Sequence, residues 1–231
     1  MFNKLPYQVI GSDFLNSDYA KSNIYINKYY KFYIGNSDHD PKWLNRLLEF
    51  EQPKYIVDPS SVLDSVAICK FKDKYHIDDY DTCNIRHDPC FGIRQEPHHF
   101  ISRTIKSILQ NEPIKITGDG SEIQRLFIID DLIEAIFKVI KSDIKTGSFN
   151  LISAWEISDL ELVNHICNIM GRGHNLIKFV EKSHGSHPLL SSSLNSQFLA
   201  LNWTQSKGFK AYLEQTVQWY LNNQWYFKLR G

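Results

Sequence analysis

The sequence has 231 residues, enough for one domain or two small ones around a hydrophobic core. Lys and Arg total 26, as do Asp and Glu, so no positive charge excess favours nucleic acid or an anionic membrane surface. The 13% aromatic content argues against disorder. No signal-peptide pattern or membrane-spanning apolar run of about 20 residues occurs, so we expect a cytoplasmic protein that binds neither membrane nor nucleic acid.

The first half of the chain alternates β-forming segments with amphipathic ones. Asp40 suits the cap of a helix and Pro41 its first position. Strands are predicted at residues 7–10 (ending at Gly11-Ser12-Asp13), 29–34, 55–57 and 82–85, and helices from Pro41 to the stop at Pro53 and at residues 63–75.

The second half repeats this alternation. Ser158 followed by Glu161 has the spacing of a capping box, and Gly171 suits the end of the same helix. Strands are predicted at residues 114–117, 126–129 and 148–152, and helices at 100–110, 130–140, 158–170 and 208–227. Alternating strands and helices predict an α/β fold with a mostly parallel sheet.

Five segments share the order and spacing of one family's motifs. They are Val9-Ile10-Gly11-Ser12-Asp13, Arg86…Phe91-Gly92-Ile93-Arg94-Gln95, Gly118-Asp119-Gly120…Phe127-Ile128-Ile129-Asp130-Asp131, Gly147-Ser148-Phe149-Asn150-Leu151-Ile152 and Thr216-Val217-Gln218-Trp219-Tyr220. Together they resemble the dTDP-glucose 4,6-dehydratase family of NAD-dependent epimerases and dehydratases, within the extended short-chain dehydrogenase/reductases. The resemblance covers nearly the whole chain.

The resemblance implies a Rossmann domain, a smaller sugar-nucleotide domain and NAD-dependent dehydration of a nucleotide sugar. It implies a division into residues 1–85, a remnant of the Rossmann-like domain, and residues 86–231, a substrate-domain-like region with a C-terminal helix. Asp13 matches the aspartate that binds the cofactor ribose in the family. Asn150 matches a retained substrate contact, and Arg125 lies one place beyond the position of the diphosphate-binding arginine, which is Gln124 here.

The parts needed for the family's chemistry are absent from this sequence. No glycine-rich fingerprint accompanies Gly11, and none of the twelve tyrosines has a lysine four residues later. In one alignment Val57 and Ser61 replace that Tyr–Lys pair; in the other, the same residues end the fourth strand. The family's Thr-Asp-Glu tract has no counterpart. We therefore predict an incomplete Rossmann-like parallel sheet, lacking its first strand and a central block, with no catalytic residues.

The substrate contacts are also reduced. The two asparagines expected after Arg86 are Pro89 and Cys90, and Arg125 is displaced by one position along a strand, which turns a side chain to the other face. Asn150 is retained. We therefore expect Asn150 and Arg125 as candidate substrate-binding residues and Asp13 as a candidate cofactor-binding residue.

Three functional hypotheses remain open at this stage. The first is a degenerate relative without turnover or bound cofactor. It would bind a nucleotide sugar or act as a partner subunit, in a homodimer or in a heterodimer with an intact paralogue. The second is an active NAD-dependent nucleotide-sugar dehydratase or epimerase with rearranged groups. The third is a non-functional deletion relic.

Other polar and aromatic groups have simpler interpretations. His184 and His187 have loose spacing for a metal site, so we predict a polar loop and no metal. His98 and His99 suit a solvated helix start. Asp130-Asp131 are predicted to cap a helix. The four cysteines form no CxxC pair and are predicted to be reduced. The aromatic C-terminal segment is predicted to pack in the core rather than stack on a ligand.

Overall fold

The computed structural model describes residues 9–13, 30–34, 41–52, 55–61, 81–142, 147–181, 203–206 and 208–228. Within these ranges the strands are β1 (Val9–Asp13), β2 (Tyr30–Ile34), β3 (Tyr55–Ser61), β4 (Asp81–His87), β5 (Cys90–Phe91), β6 (Ile114–Thr117), β7 (Ile123–Arg125), β8 (Phe127–Ile128), β9 (Gly147–Leu151), β10 (Glu156–Ser158) and β11 (Ile177–Val180). The α-helices are α1 (Pro41–Glu51), α2 (Phe100–Gln110), α3 (Ile129–Lys141), α4 (Asp159–Met170) and α5 (Phe209–Asn222). Short 3-10 helices, His174–Leu176 and Gln224–Lys228, follow α4 and α5.

Most strand pairs are parallel. One sheet has the order β3-β4-β9, with Ser61, His87 and Leu151 side by side at its carboxyl edge. Parallel pairs also join β1 to β2, β5 to β8 and β6 to β11, whereas β7 and β10 pair antiparallel. The prediction of an α/β fold with mostly parallel pairing is confirmed.

Helix α3 packs on the β4–β9 part of this sheet. Ile85 and Phe149 face each other in register across β4 and β9, and both are fully buried. Their cluster also contains Phe127, Leu132, Ala135, Val139, Leu151 and Trp203. Burying apolar faces of a strand pair and a helix against one another is the main stabilisation available to such a layer.

A second cluster, here called the helical core, contains buried side chains from α2, α4, α5 and β6. Tyr220 and Tyr226 are fully buried there, and their hydroxyls donate hydrogen bonds to the carbonyls of Gln95 at 2.9 Å and Arg94 at 2.7 Å. Trp225 remains 49% exposed. The predicted core packing of the aromatic C-terminal segment is therefore confirmed for these two tyrosines.

Helix α4 begins and ends as its sequence predicts. The Glu161 backbone N–H donates to Ser158 Oγ at 3.3 Å, and the Ser158 N–H donates to Glu161 Oε2 at 3.1 Å, which completes a capping box. Gly171 ends the helix in the left-handed conformation, with φ of 66°, where a side chain would be strained.

Several predicted boundaries were wrong. The first strand, predicted at residues 7–10 and ending at Gly11-Ser12-Asp13, is described as Val9–Asp13, so these three residues belong to the strand. The strand predicted at residues 126–129 is only Phe127–Ile128, since Ile129 already begins α3. Strand β7 was missed, because its antiparallel partner β10 lies more than 30 residues away and leaves no local signal. The C-terminal helix ends at Asn222. The helix predicted at 63–75 and the polar loop predicted at His184 and His187 lie outside the described residues.

Candidate functional site

The β4–β5 turn, residues 87–90, lies at the carboxyl edge of the β3-β4-β9 sheet. His87 is the last residue of β4, and Cys90 begins β5. The Asp88 N–H donates to the Leu151 carbonyl at 3.2 Å, and the Phe127 N–H donates to the Pro89 carbonyl at 2.9 Å. Open parallel sheets bind ligands outside the carboxyl ends of their strands. This edge is therefore the candidate functional site.

Asp88 connects the β4–β5 turn to neighbouring segments. It is 1% exposed, and its Oδ2 accepts a hydrogen bond from the Ser153 N–H at 2.7 Å. Arg125 Nε lies 3.8 Å from the same oxygen. Burial raises the pKa of the Asp88 carboxyl, while the Ser153 N–H and the Arg125 charge act in the opposite direction. Asp88 thus links the turn after β4 to β7 and to the segment after β9.

His87 and Cys90 contact each other within the same turn. His87 Nδ1 is 2.8 Å from the Asp88 carbonyl oxygen and 3.4 Å from Cys90 Sγ. Burial, with smaller contributions from the Asp88 and Asp131 charges, raises the pKa of the Cys90 thiol to about 12. The thiol is therefore protonated near neutral pH and is a poor nucleophile. Burial lowers the pKa of His87, so the neutral imidazole is favoured.

The N-terminal turn of α3 lies near Cys90. The prediction that Asp130 and Asp131 cap this helix is wrong. Ile128 is the N-cap, and no side chain makes a capping hydrogen bond there. Asp131 is 5% exposed, and its Oδ2 accepts hydrogen bonds from the Ser206 N–H and Oγ, both at 3.2 Å. The helix begins one residue earlier than predicted, which places Asp130 and Asp131 inside its first turn. They remain favourably placed near the positive end of the helix dipole.

Strand β7 carries both residues considered for diphosphate binding. Gln124 Nε2 donates to Asp159 Oδ1 at 2.9 Å, at the start of α4. Arg125 faces Asp88, and the two side chains are only 10% and 2% exposed. Each side chain thus has a partner within the chain. The predicted substrate role of Arg125 stays a prediction, and its observed contact is structural.

The other two candidate binding residues lie on separate strand pairs. Asp13 is the last residue of β1 and pairs in register with Ile34. Asn150 lies in β9, is half-buried, and pairs in register with Arg86. Among the sheets described, β1-β2 is distinct from β3-β4-β9. Neither assignment is tested by these positions.

Strand β3 decides between the two alignments of its segment. Val57 and Ser61 lie inside a seven-residue strand that pairs in parallel with β4 throughout, opposite Cys83 and His87. The alignment that places these residues on a catalytic helix is therefore excluded. The segment forms the end of a strand, as the other alignment predicts. A general base formed by tyrosine beside lysine is not present on β3.

The histidines considered in the sequence lie partly within the described residues. Within the described ranges, no three His, Cys, Asp or Glu side chains cluster in a way that could hold a metal ion. His98 is exposed and lies 3.2 Å from Glu96 Oε2, while His99 occupies the N-cap position of α2 without a side-chain cap. His184 and His187 lie outside the described residues. In the described part, no helix is both long and apolar enough to span a bilayer.

His87 and Asp88 were not predicted as site residues. Pro89 and Cys90 match positions where asparagines are expected, and the two residues just before them directly follow the strand core. Two polar side chains at the end of a buried parallel strand were the available signal. Their partners, Ser153 and Arg125, are distant in sequence and could not be named from it.

The residues present fit NAD only in part. Asp13, at the carboxyl end of β1, stands where a ribose-binding carboxylate is expected. Gly11 lies within β1, paired with Phe32, and so it does not form a strand-to-helix turn that could approach a pyrophosphate. No glycine-rich turn of that kind occurs among the described residues. The described chain therefore does not provide the pyrophosphate part of an NAD site.

Comparisons with known proteins find similarity to one family over part of the chain. Residues 70–151 match the model of the NAD dependent epimerase/dehydratase family. The chain is 27% identical over 145 residues to dTDP-glucose 4,6-dehydratase of Neisseria gonorrhoeae, covering 58% of this chain and 42% of that protein. It is 29% identical over 142 residues to low-salt glycan biosynthesis protein Agl12 of Haloferax volcanii, covering 62% and 44%. These matches span about two fifths of each relative's length.

Solved structures show the same fold. DesIV, the dTDP-glucose 4,6-dehydratase of Streptomyces venezuelae with NAD and TYD bound, aligns with a TM-score of 0.80 and 16% identity over 99% of this chain and 92% of that chain. The dTDP-glucose 4,6-dehydratase of Bacillus anthracis in complex with NAD aligns with a TM-score of 0.78, also at 16% identity, over 97% and 92%. The fold is Rossmann-like, and part of the chain is similar to NAD dependent epimerases and dehydratases.

Proposed function

We propose that the protein binds a nucleotide sugar at the carboxyl edge of its sheet and does not carry out dehydratase or epimerase turnover. The observation that carries this proposal is that Val57 and Ser61 lie on β3, paired with β4. Proton transfer by a positioned side chain contributes about 10²–10⁴ in rate to reactions of this kind. None of the twelve tyrosines is followed four residues later by a lysine, so the pair that would make this transfer is absent.

The internal contacts of β7 support the same proposal. Arg125 is engaged with the buried Asp88, and Gln124 with Asp159. A diphosphate would have to compete with these contacts, and removing Arg125 from Asp88 would leave a buried carboxylate without its charge partner. We therefore propose that the protein binds the diphosphate of a nucleotide sugar more weakly than an intact site would.

The names of the relatives support the ligand class. They include dTDP-glucose 4,6-dehydratases, and a solved relative is a UDP-glucuronic acid 4-epimerase in complex with UDP-glucuronic acid and NAD. We carry over the nucleotide sugar from them. NAD is not carried over, because the described residues lack the glycine-rich turn. Asn150 on β9 is retained as a proposed substrate contact, and Asp13 as a proposed remnant of the cofactor site.

The protein would then act as a binding or partner subunit. An intact paralogue is the proposed partner in a heterodimer, and a second copy of this chain in a homodimer. The division at residues 85 and 86 into a Rossmann remnant and a substrate-domain-like region is likewise proposed.

Isothermal titration of the full chain with dTDP-glucose and, separately, with NAD tests the proposal. We expect measurable binding of dTDP-glucose and no micromolar binding of NAD. Micromolar NAD binding would contradict the loss of the cofactor site and favour the active enzyme. A folded chain that binds neither ligand would contradict the ligand-binding role.

A further inference from the structure

His87 is a buried polar side chain that the proposed function has not yet used. It is 8% exposed and ends β4, the middle strand of the β3-β4-β9 sheet. Its Nδ1 is held by the β4–β5 turn, whereas its Nε2 makes no hydrogen bond within the described residues. Some polar atoms in the described part of the chain are both fully buried and without a hydrogen-bond partner, and Nε2 does not belong to this group. The small exposed area of the ring therefore includes Nε2.

The contact at Nδ1 fixes the tautomer of the neutral ring. A carbonyl oxygen can only accept a hydrogen bond, so Nδ1, 2.8 Å from the Asp88 carbonyl, must be the nitrogen that carries the proton. In a neutral imidazole the other nitrogen then bears a lone pair. Nε2 is thus a hydrogen-bond acceptor.

The turn that holds the ring is fixed on several sides. Asp88 accepts from the Ser153 N–H, faces Arg125, and donates its own N–H to the Leu151 carbonyl. The side chains and backbone that orient His87 therefore cannot move independently of β7 and β9. A fixed acceptor loses little entropy when it binds a donor, which favours a binding role over a mobile surface histidine.

The protonation of the ring selects the ligand group. Nε2 bears a lone pair, and an ionised diphosphate carries only acceptor oxygens, so the two cannot form a hydrogen bond. A sugar hydroxyl, in contrast, can donate its proton to Nε2.

We propose that His87 binds a sugar hydroxyl of the nucleotide sugar, with Nε2 accepting the hydrogen bond and the Asp88 carbonyl holding the ring. This inference rests on the proposed function and specifies which part of the ligand contacts the β4–β5 turn. The diphosphate and the base of the ligand then lie away from His87.

Two substitutions separate the two ring nitrogens. His87→Asn places an amide near the position of Nδ1, so it keeps the contact to the Asp88 carbonyl and removes Nε2. His87→Gln places an amide oxygen near the position of Nε2. By titration with dTDP-glucose, we expect His87→Asn to weaken binding about threefold to tenfold, the effect of one lost hydrogen bond, and His87→Gln to retain most of the affinity.

The outcomes distinguish this inference from the proposed function. Wild-type binding with unchanged affinity in a folded His87→Asn variant would overturn the role of His87 and leave the proposed function standing. Absence of wild-type binding would overturn both. Long-range ¹H–¹⁵N NMR of the wild-type histidine rings provides a second measurement that needs no variant to fold. We expect one ring with Nδ1 protonated whose Nε2 signal moves on addition of dTDP-glucose, and an unmoved Nε2 signal in a protein that binds the ligand would contradict the inference.

Discussion

The helical core and the carboxyl edge of the β3-β4-β9 sheet differ in what their side chains do. In the helical core, aromatic and aliphatic residues of α2, α4 and α5 fill space, and even the tyrosine hydroxyls are used to join α5 to the backbone at residues 94–95. At the carboxyl edge, polar groups such as Asp88, Ser153 and Arg125 bind one another. Side chains of the first region pack against one another, while those of the second form polar contacts within the chain.

The largest expected effect lies in the helical core. Tyr220→Ala removes a fully buried ring that stacks on Phe227 at 5.0 Å and meets Trp219 and Tyr226 edge to face. We expect a loss of about 4 kcal/mol in the free energy of unfolding, measured by denaturant titration, because a large cavity replaces the ring. Trp225→Ala, on a residue 49% exposed, is the matched control and should cost far less. Similar losses from both substitutions would contradict the assignment of the core.

The next effect tests the carboxyl edge. Asp88→Ala leaves the Ser153 N–H without its acceptor and Arg125 without its buried counter-charge, and we expect a loss of about 3 kcal/mol. Adding Arg125→Met to Asp88→Ala should recover part of this loss, because the uncompensated charge is then gone. A double variant that loses the sum of the two single effects would show that the pair is not coupled.

A smaller loss of stability is expected when the capping box of α4 is disrupted. Ser158→Ala removes the hydroxyl that caps α4 and should cost about 1 kcal/mol. Ser121→Ala is the matched control, since the Ser121 hydroxyl is exposed and bonds only to Asp119 in a turn. Equal effects in thermal unfolding would indicate that the capping box does not stabilise α4.

The smallest effect is a pH dependence at the carboxyl edge. Burial lowers the pKa of His87 below the ordinary value of 6.5, so the unfolded chain takes up its proton first as the pH falls. The stability associated with neutral His87 is therefore present above about pH 6.5 and is lost as the pH falls through the folded-state pKa. The difference in unfolding free energy between the wild type and His87→Gln should narrow in this window. A constant difference from pH 8 to pH 5 would contradict the burial of a neutral imidazole.

Local signals in the sequence account for much of the fold. Helix α2 is predicted with its observed bounds, and Ser158, Glu161 and Gly171 mark α4, because capping and periodicity are properties of adjacent residues. The contacts of the candidate site could not be predicted from such local signals. Arg125 and Asp88 are 37 positions apart, and Asp131 meets Ser206 across 75 positions, so these contacts depend on tertiary packing.

The alignment of residues 57–61 shows the same limit. From the sequence this segment fitted both a catalytic helix and a strand end, because alignment backward from Tyr75 and alignment forward from Tyr55 gave different registers. Its residue-by-residue pairing with β4 settles the matter in favour of the strand. Absence of the Tyr–Lys pair was predictable from spacing alone, whereas the strand that occupies its place was not.

The most direct test of the account is a product assay. The full chain, at high concentration, is incubated with dTDP-glucose and NAD, and the 4-keto-6-deoxy sugar nucleotide is followed. We expect no product above a protein-free control, because the proton-transfer pair and the glycine-rich turn are missing from the described residues. Product formation that follows the protein concentration would contradict it and would establish an active enzyme with rearranged catalytic groups.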